Sequence, residues 1–67
     1  MNLYILNDVL VDYTSGMAVI AAESKDAARA IFVERFHDAD DFDTAKLQVI
    51  EGVNHPAGLV SHVWGGG

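Results

Sequence analysis

The chain has 67 residues, no cysteine, 51% hydrophobic residues and a formal net charge of −6. This length allows one domain, the apolar content is too high for a disordered acidic tail, and no thiol is present for a disulfide or a cysteine zinc site. The excess of negative charge argues against direct binding of nucleic acid or anionic lipid, because both require a basic surface.

The chain begins with a predicted β-hairpin. Leu3–Leu6 is a short apolar run of β-favouring residues, which Val9–Val11 can prolong beyond a bulge. Asp12–Gly16 is rich in turn-forming residues, and Gly16 can adopt a positive φ there. Met17–Ala22 then predicts a second strand that pairs with the first.

A helix is predicted from Lys25 to Phe36. Ser24 is a suitable N-cap, and Asp26 in the first turn complements the helix dipole. Arg35 is expected to cover the edge of the core with its stem and to direct its guanidinium towards the aspartates that follow. An apolar stripe at helical spacing predicts the buried side of this helix: Ala27, Ala28, Ile31 and Phe32.

The second half of the chain is predicted as two strands separated by loops. His37–Thr44 is predicted as a polar loop with Phe42 as an anchor in the core. Lys46–Glu51 alternates as a third strand does, Gly52–Gly58 is typical of a loop, and Leu59–Trp64 predicts a fourth strand.

This order predicts a single α+β domain over residues 1–64. The fold is β-β-α-β-β, with a four-stranded, mainly antiparallel sheet and one helix packed on one of its faces. Gly65–Gly67 is expected to be a flexible tail. Alternation predicts that four residues share the uncovered face: Tyr4, Leu6, His62 and Trp64. The aromatic side chains on that face would suit contact with a protein.

Four aspartates within six positions are the strongest feature of the sequence: Asp38, Asp40, Asp41 and Asp43. The first two begin like a calcium-binding loop, but Phe42 stands at the third ligand position and Val49 where a bidentate glutamate is required. A solvated acidic loop is one interpretation of the run. The other is a charge array that imitates DNA, which carries about one negative charge every 3.4 Å along each strand.

Enzymatic chemistry has little support in the sequence. The three histidines fall in different elements without the close spacing of a zinc site, so no metal or other cofactor is expected. There is also no nucleophile elbow and no phosphate-binding glycine loop before a helix. We therefore predict a protein that is not an enzyme.

Parts of the chain resemble small proteins encoded by bacteriophages and other mobile elements. The resemblance rests on Tyr13–Arg29, on the start at Leu3–Asp8 and on the aromatic-glycine end at Val63–Gly66. It implies an inhibitor of the anti-CRISPR type, in which an acidic domain mimics DNA and blocks a CRISPR surveillance complex. A complex of the Cascade type is one such target.

The expected partner is therefore a basic, nucleic-acid-binding host protein or complex in the bacterial cytoplasm. We expect no contact with a membrane or with nucleic acid itself. The protein is expected to be a monomer or a weak homodimer. The alternative is a phage accessory or structural protein that self-associates through its open sheet face. The predicted partner-binding residues are the four aspartates, three further acids and two aromatic anchors: Asp38, Asp40, Asp41, Asp43, Glu34, Asp8, Asp12, Tyr4 and Trp64.

Overall fold

The computed structural model describes residues 1–66 and has an α+β fold, as predicted. Its elements are listed in chain order: β1 (Asn2–Asp12), β2 (Thr14–Ala22), α1 (Lys25–Phe36), α2 (Ala39–Thr44), β3 (Lys46–Ile50) and β4 (Gly58–Val63). The four strands form one sheet in the order β3-β1-β2-β4, and every neighbouring pair is antiparallel. The hairpin is thus the centre of the sheet, and the two later strands are its edges.

The first strand continues past two bulges, which confirms the predicted extension through Val9–Val11. The pairing with β2 shifts after Asn7 and again after Val9, and Asp8 and Leu10 adopt positive φ angles of 59° and 52°. Each bulge inserts one extra residue into β1, which changes the face that the following side chain occupies. As a result Val9 points into the core and is fully buried.

The helix α1 begins and ends at the residues predicted for it. Ser24 caps it by accepting a hydrogen bond of 3.1 Å from the amide of Ala27, and His37 ends it with a left-handed φ of 58°. Ala28 and Phe32 are buried against the sheet, while Ala27 and Ile31 are partly buried beside them. The predicted apolar stripe is therefore the contact side of the helix.

The aspartate-rich segment contains a second helix where we predicted a loop. Asp38 is the N-cap of α2, because its carboxylate accepts a 3.0 Å hydrogen bond from the amide of Asp41. Phe42 is buried, as predicted, and its ring lies 5.7 Å from that of Phe32. Acidic residues are unfavourable at the negative C-terminal end of α1 but favourable at the positive N-terminal end of another helix. The aspartates therefore favour the start of α2 directly after α1 ends.

The helices cover the face of the sheet that we expected to be open. Tyr4 and Leu6 are 4% and 0% exposed and belong to the same core as Phe32. His62 and Trp64 are on this side too, with their rings 5.3 Å and 5.8 Å from the ring of Phe36. The four residues do share a face, but alternation does not reveal which face the helices will cover.

Gly65 and Gly66 make specific contacts where we expected a flexible tail. The amide of Gly65 donates to the carbonyl of Leu10 at 2.8 Å, and Gly66 exchanges two hydrogen bonds with the hydroxyl of Thr14. Gly16 has no positive φ, in contrast to the turn role predicted for it. A Cβ on Gly16 would overlap the carbonyl oxygen of Val63, so the glycine permits this close approach of the chain end. Gly67 lies outside the described residues.

Candidate functional site

The four clustered aspartates have four different environments. Asp38 caps α2, and the carboxylate of Asp41 accepts a 2.9 Å hydrogen bond from the amide of Leu10. Asp43 forms two bonds with the guanidinium of Arg29, at 2.8 Å and 3.0 Å. Within residues 1–66, Asp40 alone of the four has a carboxylate with neither a hydrogen bond nor an ion pair. Most of the run therefore also serves the fold.

Arg29 compensates the charge of Asp43. Hydrogen bonding with this guanidinium lowers the pKa of Asp43 below its ordinary value, and the same contact raises the pKa of Arg29. The prediction that Arg35 reaches the aspartates is wrong, because its guanidinium lies over the ring of Phe36, 5.4 Å from the centroid. Asp43 is thus the weakest contributor to any negative surface that the run forms.

The three further acidic candidates lie on elements other than the aspartate-rich segment. Asp8 lies at the first bulge of β1 with its carboxylate 3.2 Å from the ammonium of Lys46. Hydrogen bonding by Ser15, and then by Lys46, lowers the pKa of Asp8. Asp12 is exposed at the end of β1, and Glu34 is exposed on α1, two residues beyond the buried Phe32 and so on the solvent side of that helix.

A cleft of about 280 Å³ is lined by two of the aspartates together with aromatic and aliphatic side chains. Asp38 and Asp41 contribute carboxylates, and Trp64 and Phe36 contribute rings that meet edge to face at an interplanar angle of 83°. Leu10 and Val11 of the bulged strand complete the lining. The cleft brings anionic, aromatic and aliphatic groups together at one end of the molecule.

Leu10 is the residue that assembles this cleft. Its amide is bonded to Asp41, and its carbonyl accepts from Gly65, which directly follows Trp64. The backbone of one buried residue thus connects the beginning of α2 with the end of the chain. Because each bond is oriented by the left-handed φ of Leu10, the second bulge positions both the carboxylate and the indole.

The exposed indole is the part of the cleft that a partner can reach. Trp64 is 58% exposed although one of its edges is packed on Phe36. Tyr4, the other predicted aromatic anchor, is buried, and its hydroxyl accepts a 3.3 Å hydrogen bond from the side-chain Nδ2 of Asn2. Tyr4 is therefore a core residue, and Trp64 is the one of the two that is available for contact.

Sequence reasoning missed three residues that line the cleft: Leu10, Val11 and Phe36. Phe36 follows Phe32 by four positions, so extending the apolar stripe by one turn would have placed it beside the core. Leu10 and Val11 were predicted to prolong the first strand beyond a bulge, but nothing local indicated that Leu10 would adopt a positive φ, which an aliphatic residue disfavours.

Comparisons with protein-family models, with curated proteins and with solved structures found no match for this chain.

Among residues 1–66, no three side chains of histidine, aspartate or glutamate are grouped so as to hold a metal ion. Neither helix in that part of the chain is long and apolar enough to cross a membrane.

Proposed function

We propose that this protein is a non-enzymatic inhibitor that binds a basic, nucleic-acid-reading surface of a host protein complex. The likeness to small phage proteins makes a CRISPR surveillance complex the partner that we propose, with DNA as the ligand displaced. The observation that carries the proposal is the cleft, where the carboxylates of Asp38 and Asp41 lie beside the exposed ring of Trp64.

Such a cleft suits the side chain of an arginine or a lysine. Carboxylate oxygens form charge-assisted hydrogen bonds with a guanidinium or ammonium group, and an indole ring attracts the same cations through its face. Leu10 and Val11 offer apolar surface to the aliphatic stem of that side chain. A volume of about 280 Å³ is at the lower limit for a drug-sized ligand, so one side chain is the better fit.

The charge of the helical layer supports the same kind of partner. Residues 23–44 contain seven acidic and three basic side chains, and one of those basic groups is paired with Asp43. Complementary charge increases the rate of association and makes it sensitive to salt. The negative surface thus attracts the partner, and the cleft holds one basic side chain after contact.

The test compares two double variants with the same net charge. Asp38→Asn with Asp40→Asn removes two charges at the beginning of α2, and asparagine keeps the capping oxygen at position 38. Glu23→Gln with Glu51→Gln removes two charges at the opposite end of the hairpin, after β2 and β3. The assay measures displacement of target DNA from a purified surveillance complex at 50 mM and 300 mM salt.

We expect the Asp38/Asp40 variant to inhibit about tenfold less well at low salt, which corresponds to about 1.4 kcal/mol. Trp64→Ala should weaken inhibition at both salt concentrations, because the contact of the indole is only partly electrostatic. The Glu23/Glu51 variant should remain close to the parent. Equal inhibition by the two double variants, or no displacement of DNA by the parent, would contradict the proposal.

A further inference from the structure

The turn of the hairpin presents a tyrosine that the fold does not use. Tyr13 is the one residue between β1 and β2, and its side chain is 93% exposed. The next most exposed large hydrophobic side chain within residues 1–66 is Val11, at 60%. A ring in this position contributes almost no buried area to the core, so the stability of the fold does not explain a tyrosine there.

The backbone of Tyr13 is also unfavourable for this type of residue. Its φ of 66° lies in the left-handed region, where asparagine, aspartate and glycine are favoured and a bulky side chain is an outlier. One of those smaller residues would form the turn at a lower conformational cost. The turn thus combines strain with an exposed ring, and strain of this kind clusters where a protein meets its ligands.

The end of the chain holds this turn in place. The hydroxyl of Thr14 accepts from the amide of Gly66 at 2.9 Å and donates to the carbonyl of the same glycine at 3.1 Å. A Cβ on Gly65 would overlap the carbonyl oxygen of Thr14 and would lie 3.0 Å from the amide nitrogen of Asp12. Both neighbours of Tyr13 are therefore fixed, and the ring is presented from a defined backbone.

The same contacts place Tyr13 next to the cleft. Val11, which lines the cleft, is two positions before Tyr13, and Trp64, which lines it too, directly precedes Gly65. Tyr13, Val11 and Trp64 are the three most exposed large hydrophobic side chains of residues 1–66. Exposed apolar groups that gather at one end of a small protein mark a surface for contact with a partner.

Charge determines which kind of group fits the ring of Tyr13. Neither strand of the hairpin contains a lysine or an arginine, and the exposed Asp12 directly precedes Tyr13. The face of a tyrosine ring attracts a cationic side chain, and the carboxylates of Asp12 and of the cleft strengthen this attraction. A nucleic-acid base could stack on the same ring, but its phosphates would then meet these carboxylates.

We propose that Tyr13 is a second partner-contacting residue, whose ring accepts an arginine or lysine side chain beside the one held in the cleft. This role rests on the proposed function, because the partner is the same basic, nucleic-acid-reading surface. Such a surface carries several cations at short spacing, since it neutralises successive phosphates. The cleft binds one of these cations and the ring at the turn binds another.

Three variants separate this contact from a structural role. Tyr13→Asn removes the ring and suits the left-handed φ, whereas Tyr13→Phe keeps both the ring and the strain. Ile50→Asn is the control for loss of an exposed apolar side chain, because Ile50 is 48% exposed and pairs with Leu3 at the opposite end of the hairpin.

Two binding assays and one stability assay are made on the full chain. Fluorescence anisotropy measures binding of a labelled peptide of eight arginines at about 150 mM salt, where charges far from the contact are screened. Displacement of target DNA from the surveillance complex is measured in parallel. Calorimetry gives the melting temperature of each variant.

Tyr13→Asn should bind the peptide about fivefold more weakly than the parent, because the cation–π contact is lost. Its melting temperature should be unchanged or higher, by up to about 5 °C, because the strain is relieved. Tyr13→Phe and Ile50→Asn should bind within roughly twofold of the parent, since the first keeps the aromatic face and the second is remote from the turn. Weaker binding together with retained stability is not expected of a residue that serves the fold.

Three results would overturn the role of Tyr13: no binding of the peptide by the parent, equal binding by Tyr13→Asn and the parent, or a melting temperature of Tyr13→Asn that falls by several degrees. Full displacement of DNA by Tyr13→Asn would contradict this role and leave the proposed function standing. Peptide binding that depends on Tyr13, in a parent that displaces no DNA, would support the contact and contradict the proposed function.

Discussion

At the scale of single residues, the backbone of Leu10 holds the aspartate-rich segment against β1. A left-handed φ in an aliphatic residue costs about 1–2 kcal/mol. Leu10 adopts a φ of 52° while 3% exposed, and both of its backbone polar groups are bonded, one to Asp41 and one to Gly65. Burial and these two bonds offset the strain, so Asp41 is part of the framework as well as of the cleft.

Asp41→Ala should therefore destabilise the protein more than Asp40→Ala. Losing the carboxylate leaves the buried amide of Leu10 without its partner, which costs about 1–3 kcal/mol in free energy of unfolding. Asp40 is one position earlier in α2 and its carboxylate has no bond within residues 1–66, so its replacement should change stability by less than about 0.5 kcal/mol. Urea denaturation measures both values, and equal losses would contradict the role assigned to Asp41.

At the scale of elements, the end of the chain behaves as an additional element that closes the hairpin. Gly65 is buried, and a Cβ on it would overlap the carbonyl oxygen of Thr14. Gly16 makes room for the same segment from the other side. Because the backbones approach so closely, Trp64 is held in one place against Phe36.

Gly65→Ala should detach this segment, whereas Gly66→Ala should not. A Cβ on Gly66 meets nothing within 4 Å, so the two variants differ in packing alone. We expect Gly65→Ala to lower the free energy of unfolding by at least about 2 kcal/mol and to shift the emission of Trp64 to longer wavelength as the ring becomes solvated. The protein has a single tryptophan, so its fluorescence reports this site directly. An unchanged spectrum in Gly65→Ala would show that the packing is not needed.

At the scale of the whole molecule, two ion pairs join elements that are distant in sequence. Arg29 of α1 binds Asp43 of α2, and Lys46 of β3 binds Asp8 of β1. In both pairs the pKa of the aspartate is lower in the folded protein than its ordinary value of 3.8. A carboxyl group with a lowered pKa contributes stability above that ordinary value, and the contribution is lost as the pH falls through the folded pKa.

The melting temperature should consequently fall as the pH decreases from 5 to 2.5. Arg29→Gln should reduce this fall because it removes the partner of Asp43, and Arg35→Gln should reduce it less because Arg35 stacks on Phe36. Both variants lose one guanidinium, so the net charge is the same in the comparison. Calorimetry at several pH values measures the effect, and identical pH profiles for the two variants would refute the assignment.

Local chemistry determined most of the elements of this fold. The N-cap at Ser24, the apolar stripe of α1 and the alternation of the strands are short-range patterns. They predicted five of the six elements in residues 1–66, and α1, β3 and β4 lie within one residue of their predicted bounds. Phe42 was also predicted as a core anchor, because a lone aromatic residue in an acidic segment has few other places to be buried. The second helix was missed because the same aspartates are compatible with a loop and with an N-cap.

The tertiary structure alone decided how those elements form a site. Both faces of the sheet carry apolar side chains, so alternation grouped Tyr4 with Leu6 but did not show which group the helices would cover. The pairing of Arg29 with Asp43 and the bond from Leu10 to Asp41 join residues 14 and 31 positions apart, beyond the range of any local pattern. The sequence by itself thus determined which segments are strands and helices, because that choice is made by neighbouring residues. The cleft depends on bulges and packing, which only the assembled chain defines.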